Sequence, residues 1–189
     1  MTKYKNSEFS QPNRQRTTTQ KKGPETSAYR RIMHLDILFG FLLLAVLSSS
    51  CVDAQVKFGP LCSGNSSNQK RGCDKKYGCG NFGASRGQRK HMGLDIVCTD
   101  GATVYAPFDV KINGRAKPYG NNNAIDDGIS LSGGGLCFKL FYVKPDRLSG
   151  TLKNGDKIGS LLPMQKVYPG ITSHVHVQMC DKSDPTKYF

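Results

Sequence analysis

The stretch Ser173–Met179, SHVHVQM, places two histidines one residue apart. Along a β-strand residues i and i+2 point to the same face, so His174 and His176 project together from one surface. Imidazoles paired in this way serve as zinc ligands, as a catalytic base beside a ligand, or as ordinary surface or core histidines. Spacing alone leaves all three readings open.

Around this stretch the strand signals are frequent and the helix signals scarce: no segment keeps a 3.6-residue apolar period for three turns. Residues 94–98 (LDIVC), 102–108 (ATVYAPF), 109–114 (DVKING), 128–132 (GISLS), 136–144 (LCFKLFYVK), 156–163 (DKIGSLLP) and 173–180 (SHVHVQMC) are the predicted strands. Gly133–Gly135 is a hairpin turn by composition, and residues 119–127 (YGNNNAIDD) read as an exposed loop. Many short strands separated by Gly, Asn and Pro predict an all-β fold, a small antiparallel barrel or sandwich. Residues 55–90 are loop-rich, and disulfides are expected to hold them. They form a single folded unit with the β domain, residues 91–189.

The front of the 189-residue chain has another character. Residues 1–36 are polar and lack the apolar content of a core. Residues 37–47, ILFGFLLLAVL, are too short to span a bilayer comfortably and match the apolar region of a signal peptide. Val52, Asp53 and Ala54 offer small residues at a cleavage site, so cleavage is expected after Ala54. Met33 is the more ordinary start for such a signal. The expectation is a secreted, extracellular protein, not embedded in a membrane, with residues 1–54 removed.

Secretion changes the cysteine count. Cys51 leaves with the signal; Cys62, Cys73, Cys79, Cys98, Cys137 and Cys180 remain. An even number in an exported chain points to disulfides, and six cysteines allow fifteen connectivities. Cys73 and Cys79 pair plausibly on locality. No CxxC occurs, which argues against a cysteine zinc cluster.

Residues 55–189 carry 19 Lys and Arg against 10 Asp and no Glu. An HExxH metalloprotease uses Glu as its general base, so that class is excluded. The basic excess suits anionic partners such as sulfated glycans, cell surfaces or bacterial surfaces; the alternative is a solvated face that keeps the protein soluble. No aromatic-basic module points to nucleic acid. Asn65-Ser66-Ser67 is a glycosylation sequon.

The third histidine of this part, His91, sits in HMGLD, four residues before Asp95. In a strand these two share a face, and His176 can approach from another strand. Two imidazoles and a carboxylate suit zinc and leave a position for water. Solvent-facing or core-satisfied histidines are the competing reading.

Four stretches carry a resemblance: HMGLDI (91–96), ATVYAPFDVKI (102–112), LKNGDKIGSL (152–161) and SHVHVQ (173–178). They are similar to the motifs of the lysostaphin-type zinc metalloendopeptidases. FYVKP (141–145), SLLPMQKVYPGI (160–171) and CDKSDPTKYF (180–189) resemble more closely a family of secreted animal signalling proteins on that fold. The resemblance covers roughly residues 60–189.

It implies zinc on His91, Asp95 and His176, with His174 at a catalytic position. The peptidases use one further histidine, and the matching position here holds Lys144. A protonated lysine cannot accept a proton as neutral imidazole does, and general acid–base help is typically worth about 10²–10⁴-fold in rate. The resemblance therefore implies a pseudoenzyme with vestigial His174. Its implied function is attraction of leukocytes, neutrophils among them, through cell-surface receptors or glycans. The alternative is an active peptidase cutting glycine-rich peptides or peptidoglycan. The resemblance also implies disulfides Cys62–Cys98, Cys73–Cys79 and Cys137–Cys180.

Overall fold

The computed structural model describes residues 55–189; the expected leader, signal peptide and Cys51 lie outside them. In chain order the strands are β1 (Cys73–Asp74), β2 (Gly78–Cys79), β3 (Ser85–Arg86), β4 (Arg89–Lys90), β5 (Leu94–Val97), β6 (Thr103–Tyr105), β7 (Val110–Arg115), β8 (Gly128–Gly133), β9 (Leu136–Phe141), β10 (Val143–Pro145), β11 (Thr151–Leu152), β12 (Lys157–Leu161) and β13 (His174–Met179). Two short 3₁₀ turns, Met164–Lys166 and Thr186–Tyr188, are the only helical elements among the described residues. The all-β expectation holds.

The strands form a six-stranded sheet, β11-β7-β8-β9-β13-β5, a three-stranded sheet, β10-β12-β6, and two ribbons, β1-β2 and β3-β4. Every pairing is antiparallel. The β8–β9 hairpin closes through Gly134 and Gly135, at φ of 55° and 75°. Positive φ at both positions is the geometry whose twist suits a two-residue hairpin loop, and glycine adopts it without a Cβ penalty.

Alternation decides which way the sheet faces. Ile129 and Leu131 of β8, Phe138 and Leu140 of β9 and Val175 and Val177 of β13 are buried in one apolar cluster with Leu94, Ile96 and Val104. Each such side chain contributes about 1.5–3 kcal/mol on leaving water. The intervening residues of β13, His174 and His176, are also buried. A strand buried on both faces belongs inside a sheet, and β13 pairs with β9 on one side and β5 on the other.

The predicted strand 136–144 is two strands in two different sheets. Tyr142 interrupts it at φ 67°, a conformation uncommon for a residue with a side chain. Its N–H donates to the Asp127 carbonyl (2.8 Å), and its own carbonyl accepts from Leu162 N–H (2.7 Å). These bonds hold the corner at which the chain leaves β9 for β10.

Three disulfides are present: Cys62–Cys98, Cys73–Cys79 and Cys137–Cys180. Residues 55–90 lie against the sheet through an isolated bridge between Lys70 and Ile96 and through backbone hydrogen bonds from Arg71 N–H to Asp95 O and from Asp95 N–H to Gly80 O.

Candidate metal centre

His176 and Asp95 are directly opposite in the β13–β5 register. Side chains so paired stand on the same face, which brings the two together. His91 arrives differently from the sequence expectation. It precedes β5 and is not in a strand, so the i, i+4 rule does not place it. Its N–H donates to the Ala84 carbonyl, and its carbonyl accepts from Gly83 N–H, both at 2.8 Å. The loop carrying the β3–β4 ribbon thus sets its backbone.

Gly93 makes the approach possible. A Cβ there would lie 2.5 Å from His176 Nε2, closer than side-chain carbons come, so any other residue would displace the ring. Gly80 plays the same part behind Asp95, where an added Cβ would lie 2.7 Å from Arg71 Cβ and 3.0 Å from Asp95 Cβ.

Three atoms converge. His91 Nε2 is 2.9 Å from His176 Nδ1 and 3.1 Å from Asp95 Oδ1, and His176 Nδ1 is 3.0 Å from Asp95 Oδ1. All three side chains are buried. Tetrahedral zinc bonds of about 2.0–2.1 Å would separate ligand atoms by roughly 3.3 Å, so this near-equilateral triangle has the shape of one face of such a site. The donor chemistry agrees. His91 Nδ1–H donates to the Asn81 carbonyl (2.8 Å), which in the neutral ring leaves the Nε2 lone pair facing the triangle. Asp95 Oδ1 carries no proton to share with it. Lone pairs crowded into one buried point fit a cation.

The far side of the carboxylate is also held. Arg71, itself buried, donates to Asp95 Oδ2 (3.3 Å), to Asp74 Oδ2 (2.6 Å) and to the Gly78 carbonyl (3.0 Å). Burial opposes the charged form of Asp95, but the adjoining His176 and His91 rings and the field of His174 outweigh it and hold the carboxyl well below its usual range. His174 Nδ1–H donates to the Thr172 carbonyl (2.7 Å), leaving Nε2 at 3.5 Å from Asp95 Oδ2. Burial pushes the His174 imidazole below its usual range, against the pull of Asp95.

The triangle lies at a cavity of about 490 Å³. Arg71, Arg86, Arg89 and Lys90 line it, as do Tyr77, Tyr119, Tyr142 and Tyr168. His91, Asp95, His174 and His176 line the cavity too.

Lys144 does not. It is exposed on β10, paired with Ser160 in the three-stranded sheet, and is absent from the cavity lining. The resemblance matches Lys144 to the further histidine of the peptidases; here the break at Tyr142 turns β10, which carries it, into the other sheet. Tyr142 is the residue of FYVKP that reaches the site. Its ring meets His174 edge-on at 5.7 Å, and its hydroxyl is 2.8 Å from that of Tyr119. Burial pushes the Tyr142 phenol up to about 12. Phe141 stacks on His176 at 5.7 Å. The sequence signal available for Tyr142 was its adjacency to Phe141 at the end of an apolar run; nothing local marked the corner.

Asn65 also departs from the simplest reading of its sequon. Its Nδ2 donates to the Val97 carbonyl (2.9 Å) and the Gln69 carbonyl (3.3 Å), and its Oδ1 accepts from Gln69 N–H (2.8 Å). The amide nitrogen that a glycan would occupy is engaged in closing the loop.

Fold and site define a small, disulfide-bonded all-β protein with a buried His–Asp–His centre at a cleft. No protein-family model matches the chain. It is 53% identical over 149 residues to leukocyte cell-derived chemotaxin-2 of Bos taurus, covering 79% of this chain and 97% of the bovine protein. It is 54% identical over 146 residues to the protein of that name from Mus musculus, covering 76% and 96%. Myeloid protein 1 of Gallus gallus is 54% identical over 129 residues, 67% of this chain and 39% of that longer protein. The chain belongs to the leukocyte cell-derived chemotaxin-2 family. Among solved structures, Helicobacter pylori Csd3 superposes with a TM-score of 0.48 at 13% identity, over 72% of this chain and 35% of Csd3. A putative M23 peptidase from Pseudomonas aeruginosa gives 0.34 at 15% identity, over 73% and 54%. At such scores these two likenesses assign no chemistry.

Proposed function

We propose that this is a secreted, zinc-binding signalling protein that attracts leukocytes through cell-surface receptors or glycans and does not cleave peptides. The observation that carries the reading is identity above half, along almost the entire length of two proteins named as chemotaxins. On this reading residues 1–54 are a leader removed on export.

His91 Nε2, Asp95 Oδ1 and His176 Nδ1 would hold the zinc. Held by these residues, zinc would tie residue 91, just before β5, to β5 and β13 and would supply Lewis acidity in the cleft. Arg71 orients the carboxylate from behind, and the Asn81 carbonyl fixes the tautomer of His91. His174 is a vestigial neighbour. The group facing it is Tyr142, a phenol whose raised pKa keeps it protonated near neutral pH, so it can donate a hydrogen bond but supplies no second base.

A metallopeptidase is the second reading, favoured by the placement of His174 on the same cleft as the triangle. The test pairs two assays on zinc-loaded residues 55–189. Neutrophil migration along a gradient of the protein, with no release of fragments from pentaglycine or peptidoglycan, is the expected outcome. Cleavage abolished by Asp95→Ala would replace this reading with the peptidase. Absence of migration would remove the chemotactic function.

A further inference from the structure

Within residues 55–189 the excess of positive charge is concentrated in the first part. Residues 55–90 hold eight Lys and Arg against a single Asp, whereas residues 91–189 hold eleven against nine. Within that segment Arg86 and Arg89 are directly opposite in the two-residue β3–β4 ribbon. Opposed residues of an antiparallel pair stand on one face with Cβ atoms about 4.5–5.5 Å apart, and like charges so placed repel. Only Arg86 has a carboxylate near it, and that one is shared. Arg86 donates to the Cys79 and Ser85 carbonyls and lies 3.9 Å from Asp95 Oδ2, but that carboxylate is already engaged by Arg71. Arg89 and Lys90 are exposed and make no ion pair with any described residue.

Arg86, Arg89 and Lys90 line the same cavity as the metal triangle. Tyr77, Tyr119 and Tyr168 line it as well. The Tyr77 and Tyr168 rings meet edge-on at 5.7 Å, the Tyr168 hydroxyl donates to that of Tyr119 at 3.4 Å, and Tyr77 OH donates to the Pro169 carbonyl at 2.8 Å. The aromatic wall is therefore braced before any ligand arrives. The lining contains one acidic residue, Asp95, which is 1% exposed.

We infer that this cleft binds a sulfated polysaccharide, with its sulfates on the Arg86, Arg89 and Lys90 ribbon and its sugar rings against the tyrosine wall. Guanidinium groups match sulfate oxygens in geometry and charge, and a bound anion removes the cross-strand repulsion that the free ribbon carries. Tyrosine faces supply the flat apolar contact that a pyranose ring needs. The inference rests on the glycan-binding part of the proposed function and gives it a location. It needs no chemotactic activity.

The test measures binding of a heparin-derived octasaccharide by calorimetry across a salt series, with zinc content and near-ultraviolet circular dichroism recorded for every variant. Arg89→Ser with Lys90→Ser is expected to weaken binding at least tenfold and flatten its salt dependence. Lys182→Ser with Lys187→Ser, an equal charge loss outside the cleft, is expected to weaken it about twofold. Tyr168→Ala is expected to weaken octasaccharide binding about fivefold and leave inorganic polyphosphate binding unchanged. Equal losses from the two basic pairs would overturn the inference, because net charge alone would then explain the binding. Polyphosphate bound as tightly as the octasaccharide, with no effect of Tyr168→Ala, would overturn it as well. Should a variant lose its fold, nuclear magnetic resonance shifts of the unmutated protein decide: perturbation of residues 85–90 and Tyr168 supports the cleft, and perturbation confined elsewhere removes it. These readouts use no cells, so a failure here is separable from a failure of migration.

Discussion

In the six-stranded sheet, β7, β8, β9 and β13 each run six residues and feed one apolar cluster; in residues 55–90 no strand exceeds two residues. Ladder hydrogen bonds, burial and the Cys137–Cys180 disulfide hold the first region. In the second, the Cys73–Cys79 and Cys62–Cys98 disulfides hold the chain. Buried polar side chains help: Asn68 accepts from Leu61 N–H and donates to the Phe58 and Gly59 carbonyls, and Arg71 grips Asp74, Gly78 and Asp95. Both regions meet at the His91–Asp95–His176 cluster, where the N-terminal segment sets His91 from Ala84 and Asn81 while the sheet supplies Asp95 and His176. A chain too poor in apolar residues to bury a second core can still be ordered if its polar groups are spent on fixing a site.

The largest test of this contrast truncates the shared core. Phe138, fully buried in β9, packs edge-on against Phe58 at 4.9 Å and Phe108 at 5.6 Å. Phe138→Ala is expected to cost about 4 kcal/mol in denaturant unfolding, with both regions lost in one transition. Separate transitions would break the picture of a shared core. Zinc removal comes next. With free zinc at a thousand times its dissociation constant, binding stabilises by about 4 kcal/mol, so chelation should lower the melting temperature of the wild type and leave Asp95→Ala unmoved. Gly93→Ala should behave like Asp95→Ala in metal content by mass spectrometry. Normal zinc in Gly93→Ala would show that the His176 ring has more room than the close approach at Gly93 allows.

Removing the Cys73–Cys79 link sharpens the comparison. In the chain-entropy account a loop this short is worth about 2 kcal/mol. Cys73→Ala with Cys79→Ala should speed hydrogen exchange in residues 71–80 and weaken zinc binding through Arg71 and Asp95, while protection in β8 and β9 persists. Exchange rising evenly across the molecule would show that the segment is no separate unit of stability.

The smallest effect is one of pH and concerns the loop at residues 119–127. Burial favours neutral Asp126, but N–H donors from Tyr119, Asn122 and Gly120 outweigh it and hold the carboxyl below its usual range. A depressed folded pKa gives stabilisation that is complete above the unfolded value of about 3.9 and fades as pH falls through the folded one. Asp126→Asn should therefore lower the melting temperature at pH 7 and do so less at pH 2.5. An equal effect at both pH values would remove the charge from the account.

Much of this was legible in the sequence because it is local. Period-two alternation marked the strands, Gly133–Gly135 marked a hairpin, and HMGLD with SHVHVQ brought forward the three residues that converge. What escaped detection depends on partners far along the chain. The corner at Tyr142 is fixed by bonds to Asp127 and Leu162, so residues 136–144 read as one continuous strand, and the resemblance drew attention to Lys144 and not to Tyr142. His91 was grouped with Asp95 by a strand rule that does not apply, since Ala84 and Gly83 position it. The sequon at Asn65 gave no sign that Val97 uses its amide. Deglycosylation of the protein expressed in animal cells is expected to leave its mass unchanged.

The seat of β13 between β9 and β5 has a consequence for how the molecule is made. Translation delivers residues in order, and domains begin to fold from the amino-terminal side as they emerge. Here the strand in that seat is the last strand of the described residues to leave the ribosome. Until it arrives, the edges of β5 and β9 that it will cover stay open, and His91 and Asp95 wait for an imidazole 81 positions beyond Asp95. Pairings across such distances close slowly. Between the emergence of β9 and that of β13 the nascent chain therefore exposes two strand edges to its neighbours, open to the wrong pairing until the last strand covers both.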